Sequence, residues 1–401
     1  MVRRRSRRAG APTPSRSLLP EAPRLIPGQR KAGSACLPQA RERIEMAIDF
    51  LGHKRQLLDF VVEGIHSKIE PGDRVVADLF AGTASVSAAF KERGYRVYAN
   101  DTLAWCVRFA EAVLLNDDEP QFQGIIGSIP RARPQLLDPS PYDIVLAHLN
   151  SLPPREGFIT RNYSPSAEEA GGPRRMYFTS DNAARIDAVR GQIEEWSSAL
   201  TRAERALLIV DLVKAANSVS NTAGTYGCFL KYWKPRALRR VELRPSRIIR
   251  GTGGHEVFQG DANVMAPHIS APTVYADPPY TKRQYAAYYH ILETIALADN
   301  PSITGSTGLR RWQEEASAYC YIAKAPSALR DLVSKVDCRH FFLSYSEDGR
   351  IPHTEILRIL QERGRVEFTE TSYRRYKSSS KPHKGRDVRE RLYHLVIGRA
   401  T

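Results

Sequence analysis

Ala276-Asp-Pro-Pro-Tyr280 is the segment whose residue types point most sharply to chemistry. It follows a short apolar run, Val274-Tyr-Ala276, which reads as a strand, so the four polar-to-aromatic residues fall at a strand's carboxyl end. Open α/β sheets place their sites there. Pro278 and Pro279 remove two backbone donors and stiffen the chain. An ordinary loop gains nothing from that stiffness, whereas a rim that holds the Asp277 carboxylate, a carbonyl and the Tyr280 ring in fixed geometry needs it. The plain alternative is a Pro-Pro turn with an incidental acid.

A second segment, Asp78-Leu-Phe-Ala-Gly-Thr-Ala-Ser85, sits between a predicted strand and a predicted helix. Small residues there let backbone approach a ligand, and a helix N-terminus offers free N–H groups. Asp101 ends the next strand, where an acid accepts hydrogen bonds from ribose hydroxyls. The turn departs from the dinucleotide fingerprint, because Gly82 is present but position 84 is Ala. Alone it is equally a tight turn of any α/β protein.

The elements that must position these residues follow from periodicity. Leu58, Val61, Val62, Ile65 and Ile69 fall at helical spacing, and Pro71-Gly72 ends that helix. Arg74–Phe80 reads as a buried strand, Ser85–Arg93 as a helix closed by Gly94, Tyr95–Ala99 as a strand and residues 103–115 as a helix. This βαβα order predicts a parallel, doubly wound α/β sheet with helices on both faces. Residues 120–250 break the alternation. They hold a predicted strand at Tyr142–Ala147, a polar loop from Asn162 to Arg175, and helices near Ala183–Trp196 and Ala203–Ala216. The expected organisation is an α/β domain from 46–119 and 251–401, interrupted by an inserted, mainly helical domain at 120–250. Phe341–Ser344 and Leu392–Ile397 read as later strands of the first domain.

Composition narrows the class. The 401 residues are 42% hydrophobic and 26% charged, as in ordinary globular proteins. No apolar run approaches the roughly 18–20 residues that cross a bilayer, so no membrane role is expected. Five scattered cysteines, without metal-ligand spacing, argue against a disulfide scaffold and a zinc site. The net charge is +15, of which residues 1–45 carry +8. Such a balance favours a polyanionic partner. Residues 1–45 are too polar and Pro-rich to fold alone. They are expected to be a disordered basic leader, either a nucleic-acid-contacting arm or a stretch upstream of a true start at Met46.

The motifs then meet a family. Asp277-Pro-Pro-Tyr280 with Phe80-Ala-Gly82 before it resembles amino-group methyltransferases that use S-adenosylmethionine. The order Leu51-Gly-His-Lys-Arg55, Gly-containing turn, long insert and Asp-Pro-Pro-Tyr is similar to that of the DNA adenine methylase family. Asn100-Asp101, Asn162-Tyr-Ser-Pro165, Gly260-Asp261-Ala262 and Ser344-Tyr-Ser346 match too, over about residues 47–397. The resemblance implies a Rossmann-like S-adenosylmethionine-dependent methyltransferase fold and no metal. It implies that Phe80 and Gly82 border the methionine part of the cofactor, that Asp101 binds its ribose, and that Asp261 lies by its adenine or amino group. Lys54 would sit at the amino-acid end or the rim, and Asp277 beside the cofactor as well as the substrate. Asp277, the Pro278 carbonyl and Pro279 would form the catalytic rim, and Tyr280 would stack on an adenine extruded from double-stranded DNA.

Arg174, Arg175, Tyr177, Asn182, Arg185 and Arg190 in the insert have groups that pair with guanine or adenine edges. Asn221–Gly227 with Lys231 is a second expected DNA-facing loop, and Lys377 and Lys381 belong to an expected phosphate-contact loop from Arg374 to Lys384. Each of these is also a plausible solvated surface. His290 and Glu293, with Tyr285, Tyr288 and Tyr289, either line the site or form a structural helix face; His53 is a rim contact or simply solvated. The expected function is site-specific adenine methylation as the modification partner of a restriction endonuclease, in the cytoplasm and on the nucleoid. Cytosine in DNA, adenine in RNA or a protein glutamine are alternative amines, and a non-catalytic DNA-binding protein is a further alternative.

Overall fold

The computed structural model describes residues 57–130, 139–169, 171–251, 253–374 and 387–398. Lys54, Lys377, Lys381, His53 and the leader lie outside them. Helix α1 (Leu58–His66) buries Val61, Val62 and Ile65 through the helical spacing noted above. Strand β1 (Val75–Asp78), α2 (Ser85–Glu92), β2 (Arg96–Asp101) and α3 (Ala104–Leu114) follow in the expected βαβα order. Lys91 closes this unit from inside. Its buried ammonium donates to the carbonyls of Val113, Leu114 and Asn116 and pairs with Asp117 at 2.9 Å, satisfying the orphan carbonyls that end α3.

The middle of the chain contributes α4 (Pro141–Ser151), α5 (Phe158–Tyr163), α6 (Ser180–Glu195) and α7 (Arg202–Ser218). The strand expected at Tyr142–Ala147 is therefore a helix. Its β-branched Ile144-Val145 pair suggested a strand, but Ser140 caps Asp143 N and Pro141 fits the first helical position. Tyr142, Val145, Leu146 and Leu149 then form the buried stripe. Helix α7 starts with a capping box between Thr201 and Glu204. All described residues belong to one compact unit, and α7 packs along α3, so the helices of 120–250 share the core of the α/β layer.

The α/β pattern resumes with β3 (Glu256–Gln259), α8 (Ala262–Met265), β4 (Thr273–Ala276), α9 (Tyr285–Tyr288) and α10 (His290–Leu297). A small hairpin of β5 (Ile303–Thr304) and β6 (Leu309–Arg310) precedes α11 (Ala325–Lys335), β7 (His340–Ser346), α12 (His353–Gln361), β8 (Gly364–Arg374) and β9 (Asp387–Ile397). The seven-stranded sheet has the order β3-β2-β1-β4-β7-β9-β8. Strands β3, β2, β1, β4 and β7 are parallel, and β9 and β8 add antiparallel. The chain reverses its strand order beside β1, which opens a crevice at the carboxyl ends of β1, β2 and β4. Among the described residues no helix is long and apolar enough to cross a membrane.

Several residues expected to face nucleic acid are spent inside this fold. Arg175 is 5% exposed, and its guanidinium donates to the carbonyls of Asn162, Gly305 and Ser306. Asn182 is 2% exposed, donates to the carbonyls of Ala237 and Arg239, and accepts from Val241 N. Arg190 donates to Thr294 and Asp299 carbonyls, tying α6 to α10. Glu293 accepts from Ala104 N and Trp105 N, so it caps α3 rather than lining a site. His290 is buried against Tyr163 and Tyr177, and burial pushes its imidazole down to about 4. Asp78 ends β1 in full burial and accepts from Ser87 on α2 at 2.7 Å.

Asn182→Ala strands buried carbonyls and an N–H, so urea unfolding should show a loss of about 2–3 kcal/mol; unchanged stability with weakened DNA affinity would return Asn182 to a DNA-facing role. Burial pushes the Asp78 carboxyl up from 3.8 to about 7, with the Asp277 and Asp101 charges adding to the shift. A raised carboxyl is protonated in the folded chain where the unfolded chain has ionised it. Its contribution is thus present at acid pH and lost as pH rises towards 7. Thermal melts from pH 5 to 8 should show Asp78→Asn gaining on the parent chain as pH rises, by at most about 1.4 kcal/mol per unit. A pH-independent difference would contradict the burial argument.

Candidate active site

The crevice is built from strand ends. Asp78 pairs in register with Ala99 of β2 and with Tyr275 of β4. Asp101, the last residue of β2, and Asp277, the first residue past β4, each lie two residues further along the chain. Parallel pairing therefore brings both carboxylates to one edge, with the buried Asp78 between them. Asn100, 1% exposed, donates to the carbonyls of Leu79 and Gly260, which ties the ends of β1 and β3 across β2.

The small-residue turn closes one side. Gly82 takes φ 53° and Ala84 φ 56°, both left-handed. Position 84 thus keeps the backbone shape that glycine favours, at the strain a Cβ brings there. Gly82 N donates to Asp101 Oδ2 at 2.8 Å, and Leu103 N to Oδ1 at 3.0 Å. Burial raises the Asp101 carboxyl while these N–H groups oppose it. Phe80 lines the crevice and meets Tyr319 edge-to-face at 5.5 Å.

Opposite stands the Asp-Pro-Pro-Tyr segment. Asp277, Pro278, Pro279 and Tyr280 all line the same crevice, with Asp101, Asp261 and Phe80. Tyr345 at the end of β7 meets the Tyr280 ring edge-to-face at 6.0 Å, and its own hydroxyl accepts from Ile351 N. Asp261 caps α8 by accepting from Asn263 N, and Asn263 Oδ1 accepts from the Tyr319 hydroxyl. One wall was not legible in the sequence. Gln284 donates to Ser317 O and accepts from Ser317 N, a two-way clasp that draws the segment 314–319 over the crevice. Glu314, Glu315 and Tyr319 line it from that segment, and burial raises the Glu315 carboxyl. The segment has no period, so only the acids beside a Ser-Ala-Tyr run signalled it. Tyr285 also lines the crevice, whereas His290 and Glu293 do not.

Acids and aromatic rings together suit a ligand that carries positive charge, hydroxyl donors and a planar group. A separate carboxylate–histidine group, Glu70, Asp73 and His340, lies at the strands' amino ends, where Arg339 pairs with Asp73 at 2.5 Å. The surface positions expected to face nucleic acid differ in fate. Arg174 is exposed and pairs with Glu168 at 3.4 Å, and Arg185 pairs with Asp181. Asn221 is buried and braces its loop by bonding Leu230 O, Tyr232 O and Lys234 N, leaving Lys231 exposed. Tyr226 N donates to Tyr288 O, which ties that loop to α9 beside the crevice.

Residues 50–359 match the family described as D12 class N6 adenine-specific DNA methyltransferase. The chain is 35% identical over 351 residues to the Type II methyltransferase M.FokI of Planomicrobium okeanokoites, covering 86% of this chain and 52% of that protein. It is 34% identical over 355 residues to the Type II methyltransferase M.NlaIII of Neisseria lactamica, covering 87% and 99% respectively. It thus spans about half the length of the first and nearly all of the second. Among solved structures it is similar to magnesium protoporphyrin IX methyltransferase of Synechocystis PCC 6803 with bound SAM. That likeness has 10% identity, covers 85% of this chain and 78% of the other, and its TM-score of 0.27 carries no argument. With the family matched over most of its length, and Asp-Pro-Pro-Tyr facing the small-residue turn across one crevice, this chain belongs to the D12 class of N6 adenine-specific DNA methyltransferases.

Proposed function

We propose that the chain transfers a methyl group from S-adenosylmethionine to the exocyclic amine of adenine in duplex DNA, as the modification component of a restriction–modification system. The observation that carries this is the convergence of Phe80, Asp101 and Asp261 with Asp277–Tyr280 in one crevice. The donor set fits the cofactor. Asp101 suits the ribose hydroxyls, Asp261 the adenine end, and Phe80 with the Gly82 turn the methionine portion. Lys54 is assigned to the amino-acid end by resemblance alone. S-adenosylmethionine supplies an electrophilic methyl group on a sulfonium centre.

The protein's part is to prepare the amine. Its lone pair is delocalised into the purine ring and is a poor nucleophile. Asp277 and the Pro278 carbonyl accept hydrogen bonds from its two N–H groups, which favours a pyramidal nitrogen and stabilises the positive charge developing there until one proton leaves. Pro279 holds these acceptors in place, and alignment lowers the barrier further. Extruding the base costs roughly a few kcal/mol. Stacking on Tyr280, fixed by Tyr345, returns about 1–3 kcal/mol. The helices of 120–250 read the target sequence, with Arg174 and Lys231 on the exposed face; Lys377 and Lys381 are assigned to phosphates by sequence alone. A cognate endonuclease and a cytoplasmic, nucleoid-associated setting belong to the same proposal. The names of the relatives, modification enzymes of Type II systems, support it.

Asp277→Ala should lower methyl transfer to DNA by about 10²–10³-fold or more, while titration calorimetry still detects S-adenosylmethionine binding. Full transfer by this variant would sink the assignment. Lys231→Gln should weaken duplex binding alike for all sequences and lower the log–log salt slope by about 0.9. A change confined to one DNA sequence would make Lys231 a base reader instead.

A further inference from the structure

Beside the crevice the chain exposes two large apolar side chains in succession. Tyr321 is 43% and Ile322 67% exposed. They follow Tyr319, which lines the crevice, by two and three residues. The turn that carries them is held firmly. Cys320 Sγ donates to Arg283 O at 3.3 Å, joining it to the chain just past Tyr280. Lys324 N and Ala325 N donate to Tyr321 O at 3.0 and 2.9 Å, fixing the turn on the start of α11.

The surroundings are cationic. Lys282, Arg283 and Lys324 are exposed, and the Arg350 charge reaches Cys320 and Tyr345, opposing in part the burial that raises both groups. None of the four forms an ion pair among the described residues, although neighbouring Arg330 and Arg389 are paired with glutamates. Lys324 lies over the Tyr321 ring at 5.2 Å, and Arg283 over the Tyr288 ring at 5.7 Å. An apolar tip beside cations that form no ion pair among the described residues complements a stack of bases flanked by phosphates. Apolar side chains of this kind enter base steps and hold them unstacked.

We propose that Tyr321 and Ile322 enter the DNA stack where the target adenine leaves it, and that Lys282, Arg283, Lys324 and Arg350 hold the flanking phosphates. This rests on reading the crevice as a site for adenine in DNA. Its consequence is specific: the tip matters only when a base must be drawn out of an intact pair.

The test compares two duplexes carrying the modified site, once long-read sequencing has identified it. In one the target adenine is paired; in the other it faces an abasic position. Tyr321→Ser combined with Ile322→Ser should lower kcat/KM on the paired duplex roughly 10- to 100-fold and leave the abasic duplex unchanged. Unaltered S-adenosylmethionine binding by calorimetry shows that the variant is folded. Independently, Lys324→Gln with Arg350→Gln should lower the log–log salt slope by about 2. Equal losses on both duplexes, or no loss on either, overturn the inference. Absence of methyl transfer to either duplex by the parent chain overturns instead the functional reading beneath it.

Discussion

Parallel pairing of β2, β1 and β4 is the constraint from which the site follows. A parallel register fixes where each strand ends relative to its neighbours. Because Asp78 pairs with both Ala99 and Tyr275, Asp101 and Asp277 emerge at the same level on either side of it. Three carboxylates at one edge repel one another and lose water. The fold accommodates them by different means. Asp78 is fully buried and takes up a proton near neutrality. Asp101 is held by two backbone N–H groups. Asp277 lines the open crevice. The edge is thus prepared for positive charge before any ligand arrives.

The helices of 120–250 serve that edge indirectly. Helix α7 packs on α3, whose first N–H groups are capped by Glu293 of α10. Arg190 of α6 grips the end of α10. The chain that carries Tyr280 is therefore braced from the sheet below and from the helical region beside it. Any surface built on those helices is mechanically continuous with the crevice rim, since the loop braced by Asn221 bonds directly to α9.

The α/β half was legible in the chain because its signals are local: an apolar strand, a small-residue turn, an acid at the next strand's end. The Asp-Pro-Pro-Tyr segment was legible because two prolines beside an acid have few other uses. The roles of Arg175 and Asn182 were not. Their side chains have the same hydrogen-bonding groups whether they meet a base edge or a buried carbonyl, and only the tertiary fold decides which partner is nearer. Tyr142–Ala147 misled for a related reason: β-branched content is a weak preference, and the Ser140-Pro141 start with a stripe of buried contacts outweighs it. The clasp of Gln284 on Ser317 joins segments far apart in sequence, and no periodicity announces it.

Methylation of adenine within a defined duplex sequence is the reaction proposed for this crevice. Methylation-sensitive long-read sequencing of DNA from cells producing the chain tests it most directly. The expected result is N6-methyladenine in one recurrent sequence context, absent from cells producing the Asp277→Ala variant. Unmodified adenine throughout, or methyl groups on cytosine instead, would contradict it.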